Sequence, residues 1–329
     1  MATYYVSLQG DNTNNGTAPT TAWVGVNYAV DNCAAGDTIY IAPGTYREYV
    51  SNGVSGTSGN IITIIGDLNC EKFVDIAGIT PGLVRITQAD ADELGTTGNT
   101  YTWDLNAKTY ITIKNIIVDG MGGSAGSSTI SKYGFRNSSE ALIVVLENCV
   151  STAPLYSMYH IRTMKRCMSI GNYACRYGVL AEDCLFIGAY GAFYQVDECI
   201  NCIGMGNIGF RYNDQCYNCM AIGGNAGYYL AAATDVIDNC VSIGCYYGVN
   251  DSAGSTVTNH YSALCSYGYG SVETTAPNYY SQCYRAWHSG RSGDAPVQGP
   301  VISFAIAKMR KIIEGFEPWL FKAFEGRAD

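Results

Sequence analysis

Residues 199–219 read CINCIGMGNIGFRYNDQCYNC. Two Cys-x-x-Cys pairs, Cys199/Cys202 and Cys216/Cys219, stand thirteen residues apart, a pattern that four-thiolate zinc sites also use. Whether these thiols hold a metal or fill a core depends on whether they belong to a repeat, so internal periodicity comes first. Aligned on Asn/Asp-Cys, the chain gives NCVSTA (148–153), RCMSIG (166–171), DCLFIG (183–188), ECINCIG (198–204), NCMAIG (218–223), NCVSIG (239–244) and NHYSALC (259–265). The key positions are 149, 167, 184, 199, 219, 240 and 260, spaced 15 to 21 residues apart.

Apolar residues recur three before and one after the key position, as at Leu146/Val150, Ile237/Val241 and Val257/Tyr261. Small or polar residues lie between, the alternation a strand requires. In this alignment Cys199 and Cys219 fall in the key column, while Cys216 and Cys202 replace Leu, Met, Val or Ile. A free Cys packs as a small hydrophobe, so the four thiols read as a stacked core ladder. A zinc site or a disulfide is the competing reading. No metal and no cofactor is expected. A period near twenty with short strands and Gly/Asn turns implies a solenoid whose coils are too thin to bury their apolar faces alone. The Asn or Asp before each Cys would stack into a ladder at a turn.

Composition agrees with a β-rich repeat. Only 14% of the 329 residues are charged, while Gly (38) and Tyr (27) are abundant. The net charge of -9 sets nucleic-acid binding aside. No run of eighteen apolar residues occurs, so no membrane span is expected. The start, MATYYVSLQGDNTNNG, has neither a basic nor an apolar signal region. Fourteen cysteines without such a signal argue for synthesis in a reducing cytosol.

The opening stretches YYVSLQGDNTNNGTAPTTAW (4–23) and VNYAVDNCAAGDTIYIAPGTYRE (26–48) resemble right-handed parallel β-helix proteins of the pectate-lyase-like superfamily. The matching residues are the Asp11/Asn14/Gly16 loop, the helix around Ala29, and the runs GDTIY (36–40) and PGTY (43–46). GNIITIIGD (59–67) and YITIKNIIVDG (110–120) look like further coils. The resemblance covers about residues 1–285 and implies an all-β, single-stranded right-handed parallel β-helix. It implies little about activity, because many activities share that scaffold. Residues 1–47 are expected to hold an N-terminal cap and first strand. A capping helix is expected over 20–33, with Trp23, Val26, Val30 and Cys33 on one face. The β-helix proper is expected over 48–284 and a polar linker over 285–300. An amphipathic helical tail is expected over 301–329, presenting Ile302, Ile306, Met309, Ile313 and Phe316, then Trp319, Leu320, Phe321 and Phe324. That tail caps its own solenoid or docks on another chain as a helix in a groove, with a membrane-surface helix as a third reading.

A catalytic set is hard to find. Resemblance to the lyases would imply a Ca²⁺ carboxylate cluster and an Arg or Lys base, yet no Lys occurs between Lys165 and Lys308. Arginines there are sparse (Arg166, Arg176, Arg211, Arg285, Arg291), and a groove for an acidic polymer should be richer in cations. His160, Arg162, Lys165 and Arg166 form the best basic patch. For a hydrolase, Asp183 and Glu198 hold one ladder position in adjacent repeats, which stacking would place about 5 Å apart, near a retaining separation. Solvent-facing turn residues are the plainer explanation. Tyr228, Tyr229, Tyr246, Tyr247 and Tyr267 recur beside the second Gly of the repeat and are candidates for glycan binding.

A cytosol-made, Cys-rich β-helix without an evident catalytic set fits a virion, whose parts fold in the host and leave on lysis. Phage spikes, fibres and decoration proteins often look like β-helices. The expected function is therefore a non-enzymatic virion structural protein, anchored by its C-terminal helices to a protein partner in a capsid or tail, with homo-oligomers also allowed. The alternatives are a polysaccharide-degrading enzyme (a lyase or glycoside hydrolase of tailspike type) and a glycan-binding module.

Overall fold

The computed structural model describes residues 1–88, 101–120, 133–251 and 255–269, and the strands Tyr279–Ser281, Arg285–Trp287 and Val297–Gln298. Its two compact units are built on Met1–Met168 and Ser169–Phe316. Each is a stretch of right-handed parallel β-helix in which a coil contributes three short strands. Each strand pairs in parallel with its counterpart one coil away.

In the first unit the first strands of successive coils are Thr3–Val6, Thr38–Ile41, Ile62–Gly66, Ile111–Lys114, Val144–Glu147 and Thr163–Lys165. The second strands are Gly44–Arg47, Val84–Thr87, Ile117–Asp119 and Val150–Thr152. The third strands are Val50–Ser51, Tyr101–Asp104, Tyr133–Arg136 and Tyr156–Tyr159. Register puts like above like: Ile39, Ile64, Ile113, Leu146 and Met164 form one column, all fully buried. Each such side chain contributes roughly 1.5–3 kcal/mol when removed from water. The neighbouring residues in these strands face outward and are partly exposed, as the alternating burial of Ile62–Gly66 and Val144–Glu147 records.

The second unit repeats the plan. Glu198–Ile200 is followed by Gln215–Tyr217, Val236–Asp238 and Thr256–Thr258 as first strands. Leu185–Gly188, Ile203–Gly206, Met220–Ile222, Val241–Ile243 and Tyr261–Ala263 are second strands. Phe193–Tyr194, Ile208–Arg211, Ala226–Leu230, Tyr247–Asp251 and Tyr267–Tyr269 are third strands. Inside, Phe193, Phe210 and Tyr228 stack face to face at centroid separations of 4.7 and 4.9 Å. The Gly of the repeat has a packing reason here. Ser242 Oγ donates to the Gly248 carbonyl at 2.7 Å, and a Cβ at Gly248 would collide with Ser262 Oγ. Parallel pairing also reaches into the expected linker: Arg285–Trp287 pairs with Tyr267–Tyr269, and Val297–Gln298 with Tyr279–Tyr280.

From Asn115 onward, a residue at positive φ marks the turn from first to second strand. Asn115 and Asn148 do this in the first unit, and Asp183, Asn201, Asn218, Asn239 and Asn259 in the second. Asn tolerates this left-handed conformation better than branched residues because its short amide bonds locally. The amides also form the expected ladder. Asn148 Nδ2 donates to Asn115 Oδ1 (3.3 Å), Asn201 to Asp183 (3.1 Å) and Asn239 to Asn218 (2.7 Å).

The N-terminal helix is shorter than expected. It spans Val26–Asn32, with Val26, Ala29 and Val30 buried, and leaves Trp23 and Cys33 outside it. Its N-cap is Gly25, which has no side chain to offer. Glu48 supplies the missing acceptors instead, taking the N–H bonds of Val26 (2.8 Å) and Asn27 (3.0 Å). Trp23 stacks on Tyr4 at 4.6 Å and donates its indole N–H to Asn14 O.

Candidate functional site

The register settles where the thiols sit and corrects one repeat. Cys199 pairs with Cys216, so it belongs to the column three before the turn cysteine. The turn position of that coil is held by Asn201 and Cys202. The key column is therefore 149, 167, 184, 202, 219, 240 and 260, with intervals of 17 to 21 residues. These cysteines are fully buried, and each S–H faces backbone carbonyl oxygen. Cys202 Sγ lies 3.2 Å from Ile200 O and 3.3 Å from Ala181 O, and Cys219 Sγ 3.3 Å from Tyr217 O and 3.2 Å from Cys199 O. Cys fits the column because it is small and apolar yet keeps a weak donor. Burial pushes the Cys149 and Cys199 thiols up to about 12. Among the described residues no three His, Cys, Asp or Glu side chains form a metal-binding group.

The same correction moves the carboxylates. Asp183 stacks against Asn201, whose amide it accepts, and Glu198 is in register with Gln215. Asp183 and Glu198 therefore do not share a ladder position, and the expected pair is not assembled by stacking. Of the basic patch, His160 Nδ1 meets Glu140 at 2.5 Å, and Arg166 bonds Asn148 Oδ1 (2.8 Å) and pairs with Glu147. Lys114 holds the other Glu147 oxygen at 2.8 Å. Burial opposes the Glu147 charge, but Lys114 and Arg166 outweigh it and hold the carboxyl below its ordinary range. A groove of about 760 Å³ with a mixed polar and apolar lining opens beside Tyr40, Ile65, Asp67, Lys72, Leu83 and Asn115.

The tyrosines divide. Tyr228 is 0% exposed, sits in the core stack and points its hydroxyl at Val241 O, so it cannot offer a ring to a ligand. Position three of the strand points in, which the Gly-aromatic motif alone did not reveal. Tyr229, the next residue, faces outward. Its row runs Tyr194, Arg211, Tyr229, Asn250 across neighbouring third strands. Tyr246, Tyr247 and Tyr267 form a separate outward cluster, with Tyr247 and Tyr267 stacked at 5.5 Å.

Sequence reasoning did not find the cations in that face. The Arg176 and Arg211 guanidinium carbons both lie 5.1 Å from the Tyr194 ring centroid. Arg211 also lies 4.9 Å from Tyr212 and 5.8 Å from Tyr229, and Arg176 4.7 Å from Tyr177 and 5.7 Å from Tyr173. Tyr173 stacks in turn on Tyr190 at 5.8 Å. The first unit has its own outward aromatics: Tyr133 contacts Tyr101, Tyr156 and Tyr159 at 5.1 to 5.2 Å. Burial first, then the neighbouring phenols, raise the Tyr133 pKa. The expected partner-binding residues from Ile302 to Phe324 lie outside the described residues.

Two solved structures are similar over most of the chain. One is the GH136 lacto-N-biosidase from Eubacterium ramulus, 13% identical over 91% of this chain and 67% of its own, with a TM-score of 0.52. The other is a mannuronic-acid-specific polysaccharide family 6 lyase from human gut microbiota, 10% identical over 99% and 98%, with a TM-score of 0.50. The chain has the parallel β-helix fold of these structures. At these identities the likeness is one of fold and carries no active site across. No family model and no curated protein matches the chain.

Proposed function

We propose that this β-helix recognises polysaccharide through the outward aromatic face of its second unit. The observation that carries the reading is the exposure of ring surface where in-register side chains already form rows. Tyr190 is 55% exposed and stacks on Tyr173, which meets Tyr194 of the Tyr194–Arg211–Tyr229 row, and Tyr246 is 45% exposed against Tyr247 and Tyr267. Strands lie about 4.8 Å apart, so the rows offer contacts at regular short steps that suit an extended repeating ligand. Tyrosine suits this task because it presents an apolar ring with a polar tip and loses little entropy on binding. The virion reading rests on a Cys-rich β-helix without an evident catalytic set, its anchor falls in residues 301–329, outside the described residues, and no feature of the described coils favours it over glycan recognition.

The test is titration of the intact chain against a glycan panel by calorimetry, with release of reducing ends followed in parallel. Saturable binding is expected, weakened about tenfold or more in Tyr190→Ala or Tyr246→Ala, matching the loss of roughly 1–3 kcal/mol seen when one aromatic stacking contact is removed. Absence of binding across the panel, or binding indifferent to both variants, would sink the proposal. Turnover lost in Asp183→Asn or Glu198→Gln would restore the enzyme reading for those carboxylates.

A further inference from the structure

We propose that the Arg176–Tyr194–Arg211–Tyr229 row takes an anionic glycan whose negative groups fall on alternate sugars. This rests on the glycan-binding reading and names the ligand class of the same face. Three facts carry it. First, Arg211 has no carboxylate within ion-pair distance among the described residues, whereas Arg85, Arg136 and Arg166 pair with Asp119, Asp104 and Glu147. Its neighbours are the rings of Tyr194, Tyr212 and Tyr229, and its Nη2 donates weakly to Tyr212 Oη at 3.4 Å.

Second, the guanidinium is held in place at a cost. Its Nε is enclosed without a hydrogen-bond partner, an unfavourable state for a buried donor. Three rings around the guanidinium limit its freedom, and a confined fork is suited to gripping carboxylate or sulfate oxygens. Third, the row alternates. Arg176 precedes Tyr194 by 18 residues, one interval of the repeat, and Arg211 is in register with Tyr194 in the next coil; both guanidiniums lie 5.1 Å from that ring, so the cations recur every second strand, roughly 10 Å apart. An extended glycan laid across the strands advances by about one strand per sugar. Its charges then meet Arg176 and Arg211 while the intervening sugar lies against Tyr194. The net charge of -9 does not forbid this, because distant surface charges are screened beyond about 8 Å at physiological ionic strength.

Carboxylate and sulfate share the required chemistry, so the probes separate them. Hyaluronan carries a carboxylate on alternate sugars, κ-carrageenan a sulfate on alternate sugars, polygalacturonate a carboxylate on every sugar, and dextran no charge. The intact chain is titrated with each at two salt concentrations, as are Arg211→Met, Arg211→Lys and Tyr190→Ala, with melting curves as the folding control. The expected result is tenfold or tighter binding of hyaluronan or κ-carrageenan over polygalacturonate and dextran. That binding should weaken with salt, fall at least tenfold in Arg211→Met and recover only partly in Arg211→Lys. Dextran bound as well as the polyanions, lost in Tyr190→Ala but kept in Arg211→Met, overturns the anionic inference and leaves the glycan reading standing. Polygalacturonate bound most tightly overturns the alternation. No binding to any polymer of this or the wider panel overturns both.

Discussion

The strands YGFR (Tyr133–Arg136) and IGFR (Ile208–Arg211), one from each unit, make an informative pair. Both turn a fully buried Phe inward, Phe135 on Trp103 and Phe210 between Phe193 and Tyr228. Both place the final Arg on the outer face. The difference is what stands beside that Arg in the preceding coil. For Arg136 it is Asp104, 3.3 Å away, and the guanidinium is neutralised inside its own row. For Arg211 it is Tyr194, and the charge is left among rings. One outward residue in the preceding coil thus decides whether the same motif is a structural ion pair or a cation offered to a ligand.

If the inward halves are equivalent, removing either Phe should be the costliest change. Phe210→Ala should lose about 3–5 kcal/mol in denaturant unfolding, and Phe135→Ala a similar amount. A much smaller loss at Phe210 would break the claim that the three-ring stack is close-packed. The outward halves should then diverge. Arg136→Met strands the Asp104 carboxylate, which is mostly buried, and should cost about 1–3 kcal/mol. Arg211→Met removes no ion pair; the ring contacts it loses are offset by release of the enclosed, unpartnered Nε, so it should cost less than about 1 kcal/mol while weakening anion binding. Equal stability losses would erase the distinction between the two arginines. Tyr194→Asp sharpens it by giving Arg211 the partner that Arg136 has; it should fold and lose polyanion binding.

The fold was legible because the Asn-Cys turn repeats, and its reason is local: a left-handed residue with an amide, then a small inward thiol. The one slip came at ECINCIG, where Cys199 mimics the turn cysteine. Asn201-Cys202 matches Asn218-Cys219 and Asn239-Cys240, whereas Glu198-Cys199 lacks the amide, so weighting the Asn would have found the register. That slip alone created the stacked Asp183/Glu198 pair. The outward face was less legible. Tyr228 and Tyr229 are adjacent and alike in sequence, but strand alternation sends one into the core and the other out, and only register reveals which. The Arg–Tyr row depends on aligning 194, 211 and 229, a consequence of the period that composition hides. Sparse arginine suggested no site for an anion, yet two of those few lie against one tyrosine ring.

A smaller effect should follow the ladder. Asn148→Ala removes the amide that bonds Asn115 and Arg166 and puts Ala at φ 51°, for a loss of about 1–2 kcal/mol. Asn239→Ala should cost the same in the second unit, since its amide reaches Asn218 at 2.7 Å. Substitution by Gly relieves the backbone term alone, so Asn148→Gly recovering full stability would mean that the amide ladder contributes nothing.

The effect that vanishes at neutral pH belongs to the thiols, and here the two units should agree. Cys149 in the first and Cys199 in the second are both pushed by burial from 9.0 up to about 12. A raised thiol pKa means that the folded chain keeps its proton where the unfolded chain has lost it. The contribution is therefore intact below pH 9 and is lost as pH rises from there towards 12. Wild-type stability should fall with pH above 9 by more than that of Cys149→Ala or Cys199→Ala, each variant flattening the fall by a comparable share. Tyr and Lys titrate over the same range, so the quantity to measure is the difference between variant and wild type in urea unfolding, from pH 7 to about 10.5. Identical slopes would mean that the thiols are not held protonated by the core. A slope change in one variant alone would mean that the two units bury their core thiols differently, and the equivalence drawn from the inward halves of the coils would end there.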